Sequence, residues 1–150
     1  MSTEKVRPKV GVAVYITNEK GEILLLLRKG GHAAGVWGAP GGHLENQESF
    51  LDCAKREIKE EVNSEVGDIE VLGVVNNIFN SEKHYVNVDV WAKDITGEVK
   101  NLEPEKCEKL GWFSLNNLPS PIIITLPNLL AAYPDVKNKL SNSNSFRTNA

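Results

Sequence analysis

The sequence predicts a single α/β domain. Two patterns carry this reading. Runs rich in β-branched and aliphatic residues, Val10–Thr17, Glu22–Arg28, Ile69–Phe79, Tyr85–Ala92 and Lys109–Phe113, have the length and composition of strands. Between them, Ser49–Val62 places Leu51, Ala54, Ile58 and Val62 at helical spacing, and Leu126–Tyr133 reads as a C-terminal helix stopped by Pro134. At 150 residues the chain is long enough for one sizeable core. The domain is expected over residues 1–140, with no internal repeat, and a polar flexible tail over 141–150.

Residues 1–8 form a polar lead-in closed by Pro8. Asn18-Glu19-Lys20-Gly21 is a turn, so the first two strands are expected to pair as a hairpin. The unbroken apolar run Ile23–Leu27 predicts a strand buried on both faces. Lys29–Gly38 is glycine-rich and reads equally as a connector or as a loop beside a ligand; His32 within it reads as solvent-exposed. Ser49 with Asp52 fits a helix N-cap, with Asn46 as the rival. Asn80–His84 should join the two long central strands. Asn87 and Asp89 alternate with Val86, Val88 and Val90, so one face of that strand is polar. Gly97 and Pro104 break the loop before the last strand, and Leu118–Pro121 is a turn.

Net charge is −3 at pH 7, which offers no basic footprint for a nucleic-acid polymer. No apolar run approaches the roughly 18 residues of a membrane span. The start, MSTEKVRPKV, lacks the apolar region of a secretory signal. Cys53 and Cys107 make neither a disulfide framework nor a zinc spacing, so reduced thiols and a cytoplasmic location are expected.

The stretch Gly42–Asn63 stands apart. Gly42, Glu48, Arg56, Glu57, Glu60 and Glu61 follow at set intervals. On a helix, Glu57, Glu60 and Glu61 share one flank beside the apolar stripe. Three like charges so close are destabilising unless a positive charge sits among them, and a hard divalent cation is the natural counter-charge. An isolated acidic cluster of this kind is more often a solvated face; the spacing to Gly42 and Glu48 makes it specific.

The pattern Gly42-x5-Glu48-x7-Arg56-Glu57-Ile58-x-Glu60-Glu61 resembles the Nudix box, and Gly35-Val36-Trp37-x-x-Pro40-Gly41-Gly42 resembles the usual approach to it. The chain departs where the family has Gly and an apolar residue: it has Asn63-Ser64, and Asn also tolerates the left-handed end of a helix. Asn76–Phe79, His84–Val86 and Asn101–Glu108 resemble the MutT-like nucleoside triphosphate pyrophosphatases of that family. The resemblance implies a Nudix α/β/α sandwich with a mixed central sheet, and Mg²⁺-dependent hydrolysis of a phosphoric anhydride, with Mn²⁺ as a substitute. It implies Glu57, Glu61 and Glu60 as metal ligands, the Gly41 carbonyl as a further one, and Glu57 or Glu60 in the catalytic step. Arg56 either orients the carboxylates or phosphate, or forms a salt bridge to Glu48.

Tyr15, Trp37, Phe79, His84 and Tyr85 are candidates for the substrate pocket, with core packing as the competing reading of each. Glu105 or Glu108 either adds a remote carboxylate to the metal or belongs to a charged loop. The expected substrate is a small nucleotide, canonical or oxidised, cleaved to a monophosphate and pyrophosphate. The alternatives are another diphosphate (a nucleotide sugar, ADP-ribose, a dinucleoside polyphosphate or an isoprenyl diphosphate) and a non-catalytic nucleotide-binding module. No membrane and no nucleic-acid polymer are expected as partners; a homodimer rests on the resemblance alone.

Overall fold

A computed structural model describes residues 5–31, 34–142 and 146. Seven strands and three helices follow in the order β1 (Lys9–Tyr15), β2 (Ile23–Arg28), β3 (Trp37–Gly38), β4 (Gly41–His43), α1 (Phe50–Val62), β5 (Asp68–Ile78), β6 (His84–Lys93), β7 (Cys107–Phe113), α2 (Thr125–Ala132) and α3 (Asp135–Ser141). They build a four-stranded sheet in the order β4-β1-β6-β5 and a three-stranded sheet in the order β3-β2-β7. The larger sheet is mixed: β1 runs parallel to β6, and the other pairs are antiparallel.

Alternation within the strands sorts side chains into two cores. Val12, Val14, Ile16, Leu24 and Leu26 pack with Cys53, Ala54, Ile58 and Val62 of α1. Ala13, Tyr15, Ile23 and Leu25 pack with Leu126, Leu129, Val136 and Leu140 of α2 and α3. The strands therefore lie between helices, the expected α/β/α arrangement, and β2 is buried on both faces as its composition predicts. Ile58 is fully buried, which is worth roughly 1.5–3 kcal/mol over exposure. Among the described residues no helix is long and apolar enough to cross a membrane.

The expected β1–β2 hairpin exists only at its turn. Asn18 Oδ1 accepts from the Lys20 and Glu22 amides, Leu24 N donates to Ile16 O, and Thr17 bridges Ile23. Beyond that the strands part into different sheets, because β1 forms a seven-residue parallel ladder with β6 and β2 pairs with β7. The glycine-rich segment also holds more structure than its composition suggests: β3 and β4 are short strands laid against β2 and β1. Pro134 does not end the helical region. It precedes α3, where a proline costs no hydrogen bond, and Val136 and Leu140 bury the i, i+4 face. Within the segment expected to be a tail, residues 143–145 and 147–150 lie outside those described; Phe146 bridges Ile95 and packs edge-on to Trp112.

Helix α1 is held at both ends. Ser49 is its N-cap and accepts from Asp52 N at 3.0 Å. Asn63 ends it in the left-handed conformation, φ 64°, where the family-typical glycine would stand. The following loop satisfies its last carbonyls: Leu102 N donates to Glu61 O and Lys100 N to Val62 O, both at 3.0 Å.

Candidate active site

The box carboxylates are held against the glycine pair of β4. Glu57 lies flat on Gly42, so close that a Cβ there would stand 2.4 Å from Oε1. Glu61 Oε2 accepts from the Gly41 amide at 3.0 Å. Gly41 has φ 148°, and a Cβ on it would meet Val12 O at 2.0 Å, so only glycine fits. Glu60 points outward: its side chain is 56% exposed and 4.0 Å from an Arg56 nitrogen. The three glutamates thus divide into an inner pair, Glu57 and Glu61, and an outer Glu60.

Arg56 fills both roles that its position suggests. Its Nε and Nη2 grip the two oxygens of Glu48 at 2.8 and 2.9 Å, and its Nη1 donates to Glu57 Oε1 at 2.6 Å. Nη2 also donates to His43 O at 3.1 Å, tying the helix to β4. The fork geometry suits this multiple grip, which a lysine would not reproduce. The hydrogen bond from Arg56 holds the Glu48 carboxyl down at about 2.

Burial pushes the inner carboxylates the other way. Glu57 is raised by burial against the opposing pull of Arg56. Glu61 is pushed up to about 8, first by burial and further by Glu57 and Glu103. Burial and mutual repulsion of this kind are what a divalent cation relieves.

Glu103 is the loop carboxylate that approaches this pair. It raises both Glu57 and Glu61, and it lines a cleft with Glu61. Glu105 and Glu108, singled out from the sequence, are exposed and line neither cavity described below. The difference is one of turn geometry. Glu103 N donates to Asn101 Oδ1 while Lys106 and Cys107 N donate to Glu103 O, and this turn faces residue 103 toward α1. Among the described residues no three His, Cys, Asp or Glu side chains form a preformed metal cage. The donor set still fits Mg²⁺, which binds through one or two carboxylates and retains water.

Two adjoining cavities flank Gly41. The smaller, about 120 Å³, joins Glu61 and Glu103 to Arg28 and Lys106. The larger, about 170 Å³, lies across β1 and β4 and is walled by Tyr15, His43, Phe79, Tyr85, Asn87 and Thr125. Arg28 and Gly38–Gly41 line both, so the carboxylates open onto a continuous trough.

Three of the five aromatic candidates reach the larger cavity: Tyr15, Phe79 and Tyr85. Trp37 does not. It is a core residue, 9% exposed, edge-on to Phe113 at 4.9 Å. His84 also lies off the cavity and bonds Asn76 on the outer face. His32 falls outside the described residues. His43, Asn87, Arg28 and Lys106 were not singled out from the sequence. For Asn87 the signal is present in the polar alternation of β6, of which Asn87 lines this cavity and Asp89 is buried.

Fold and site define a class: an α/β/α domain whose partly buried helix carboxylates open onto a continuous trough. Comparison with known proteins names it. The NUDIX domain model matches residues 7–133, and the chain belongs to the Nudix hydrolase family. A MutT NUDIX hydrolase from Burkholderia pseudomallei is similar in structure, with 36% identity, TM-score 0.77, and coverage of 83% of this chain and 97% of that one. A MutT protein from Methanosarcina mazei Go1 has 28% identity and TM-score 0.73, covering 91% and 99%. Among curated proteins, an NAD-capped RNA hydrolase NudC from Pseudomonas aeruginosa is 32% identical over 112 residues, 75% of this chain. The chain spans about two fifths of the length of that relative, 39%.

Proposed function

We propose that this protein is a metal-dependent pyrophosphohydrolase that cleaves nucleoside triphosphates to a nucleoside monophosphate and pyrophosphate. The observation that carries the reading is the inner pair Glu57 and Glu61, held on Gly42 and Gly41 where the two cavities meet. Glu57 and Glu61 would hold Mg²⁺, with Glu103 beside them, Glu60 at the outer edge and the Gly41 carbonyl as a further ligand. A bound Mg²⁺ supplies charge neutralisation for the phosphate oxygens and acidifies water.

The chain's own groups do the rest. Arg28 and Lys106 on the wall of the smaller cavity attract the polyphosphate. Arg56 fixes the Glu57 carboxylate, and Glu57 is the nearest candidate to accept a proton from attacking water. Gly41 and Gly42 let backbone and phosphate approach without side chains between them. The larger cavity receives the nucleoside.

The similarity to an NAD-capped RNA hydrolase supports a second reading, cleavage of a diphosphate that links two nucleosides, as in NAD. A nucleotide at the end of an RNA would then enter the same cavity, contrary to the expectation of small molecules only. One panel separates these readings: nucleoside triphosphates, NAD, nucleotide sugars and isoprenyl diphosphates with Mg²⁺, each beside Glu61→Gln. Pyrophosphate release from triphosphates, lost in Glu61→Gln, is the expected result. Faster turnover of NAD or of a nucleotide sugar would replace the triphosphate reading, and activity unchanged in the variant would remove the site.

A further inference from the structure

We infer that Asn87 reads the ring carried by the substrate. Its carboxamide nitrogen donates to a ring carbonyl of a heterocycle held in the larger cavity. This rests on the nucleotide reading above and names the part of the nucleotide that the cavity recognises.

The orientation of the Asn87 amide is set by a relay of side chains. Asn87 Oδ1 accepts from Asn77 Nδ2 at 3.0 Å. Asn77 is fully buried, donates also to Thr125 Oγ1 at 3.2 Å, and accepts at Oδ1 from Asn128 Nδ2 at 2.8 Å. The relay runs from α2 through β5 to β6, so the start of α2 and two strands hold one amide in place. The oxygen of Asn87 being occupied, its nitrogen is left. That nitrogen has no hydrogen-bond partner among the described residues, and Asn87 lines the larger cavity. A Cβ on Gly11, its neighbour in the parallel ladder, would stand 3.1 Å from this nitrogen. Glycine at 11 therefore keeps the donor uncovered.

A buried amide network is costly unless every group in it is satisfied. Here Asn77 is satisfied at both ends of its carboxamide, and the nitrogen of Asn87 faces the cavity, where a ligand can meet it. The same wall carries flat rings: Tyr85 stacks with His43 at 5.4 Å and meets Phe79 edge-on at 6.1 Å. Rings and a fixed donor together suit a heterocycle with an acceptor on its edge. An aliphatic alcohol, such as the isoprenyl group of an isoprenyl diphosphate, would leave the donor unpaired and be disfavoured.

Equilibrium binding of nucleoside monophosphates to the full chain, read by calorimetry without turnover, tests this. The probes are inosine monophosphate, which has a ring carbonyl, and purine riboside monophosphate, which lacks it. Wild type should bind the inosine compound about tenfold more tightly. Asn87→Leu should erase that preference and leave the Mg²⁺ titration unchanged. Gly11→Ala, which places a methyl over the nitrogen, should reduce the preference in the same direction. Equal affinity of wild type for the two probes, or a preference that survives both variants, overturns the assignment of Asn87. Turnover is a separate readout: a protein that shows the binding preference yet hydrolyses no triphosphate would overturn the proposed reaction and leave the role of Asn87 standing.

Discussion

The Glu57 carboxylate rests on the bare backbone of Gly42, in space that a single methyl group would take. A Cβ at residue 42 would lie 2.4–2.7 Å from all three atoms of that carboxylate. The glycine that opens the motif thus has a steric basis: residue 42 must be glycine because the Glu57 carboxylate occupies the place of its side chain.

Gly42→Ala should therefore displace Glu57 while leaving the fold intact. Misplacement of a reacting group by about 1 Å costs on the order of 10²-fold in rate. Steady-state kinetics should show that loss in kcat with KM little changed, and circular dichroism should show native secondary structure. Wild-type kcat in the variant would mean that Glu57 takes no part.

Glu103 is expected to matter where its charged neighbours in the same loop do not. Glu103→Gln should weaken Mg²⁺ activation at least severalfold, because it removes a carboxylate beside Glu61. Glu105→Gln and Glu108→Gln, both at exposed positions, should behave as wild type. Activation curves against Mg²⁺ concentration distinguish them; three matching curves would remove Glu103 from the site.

Metal binding should release a proton. With Glu61 pushed up to about 8, the metal-free site holds a proton at neutral pH that Mg²⁺ must displace. Apparent Mg²⁺ affinity should rise with pH up to about 8 and then level. Calorimetry in two buffers of different ionisation heat reads the proton directly, and identical heats in both would contradict the expectation.

Asp89 should make stability fall as pH rises. Its carboxyl is fully buried, neither oxygen has a hydrogen-bond partner of good geometry, and Tyr15 is the neighbouring polar group. Burial pushes it up to about 8, with Tyr15 partly opposing. An unfolded aspartate titrates near about 4. Between these values the folded chain keeps a proton that the unfolded chain releases. Stability contributed by this group is therefore full below about pH 4, declines at up to about 1.4 kcal/mol per pH unit, and levels above about 8. Glu61 adds a decline of the same sign, so the informative quantity is the difference from Asp89→Asn. Thermal melts from pH 5 to 9 should show Tm of wild type falling by several degrees more than that of the variant; parallel curves would show that Asp89 does not titrate this way.

Local patterns were enough to read α1 and its ends. Ser49 caps, Asn63 turns left-handed, and Ala54, Ile58 and Val62 are buried, all consequences of short-range periodicity and capping chemistry. The motif spacing likewise put Glu57, Glu60 and Glu61 together on one flank of that helix; only the structure separates the inner pair from the outward Glu60. What escaped the sequence depends on partners far along the chain. β3 and β4 are too short to show a period, and exist because β2 and β1 pair with them. β1 and β2 look like a hairpin, yet β6 and β7, many residues later, supply the longer ladders.

The sequence by itself determined the chemistry this protein carries: carboxylates at fixed spacing on one helix, glycines to receive them, and an arginine to hold them. Helix geometry sets the carboxylates and the arginine on one flank, and laying β4 against α1 seats them on the glycines. Only the tertiary structure decided which carboxylate from outside the motif approaches Glu61 and which side chains wall the cavity beside it. Glu103, His43 and Asn87 come from three separate elements, and their convergence depends on the packing of loops and strands against α1 and α2. The bond to be cut is written in a continuous stretch of chain; the pocket beside it is assembled from residues that only folding brings together.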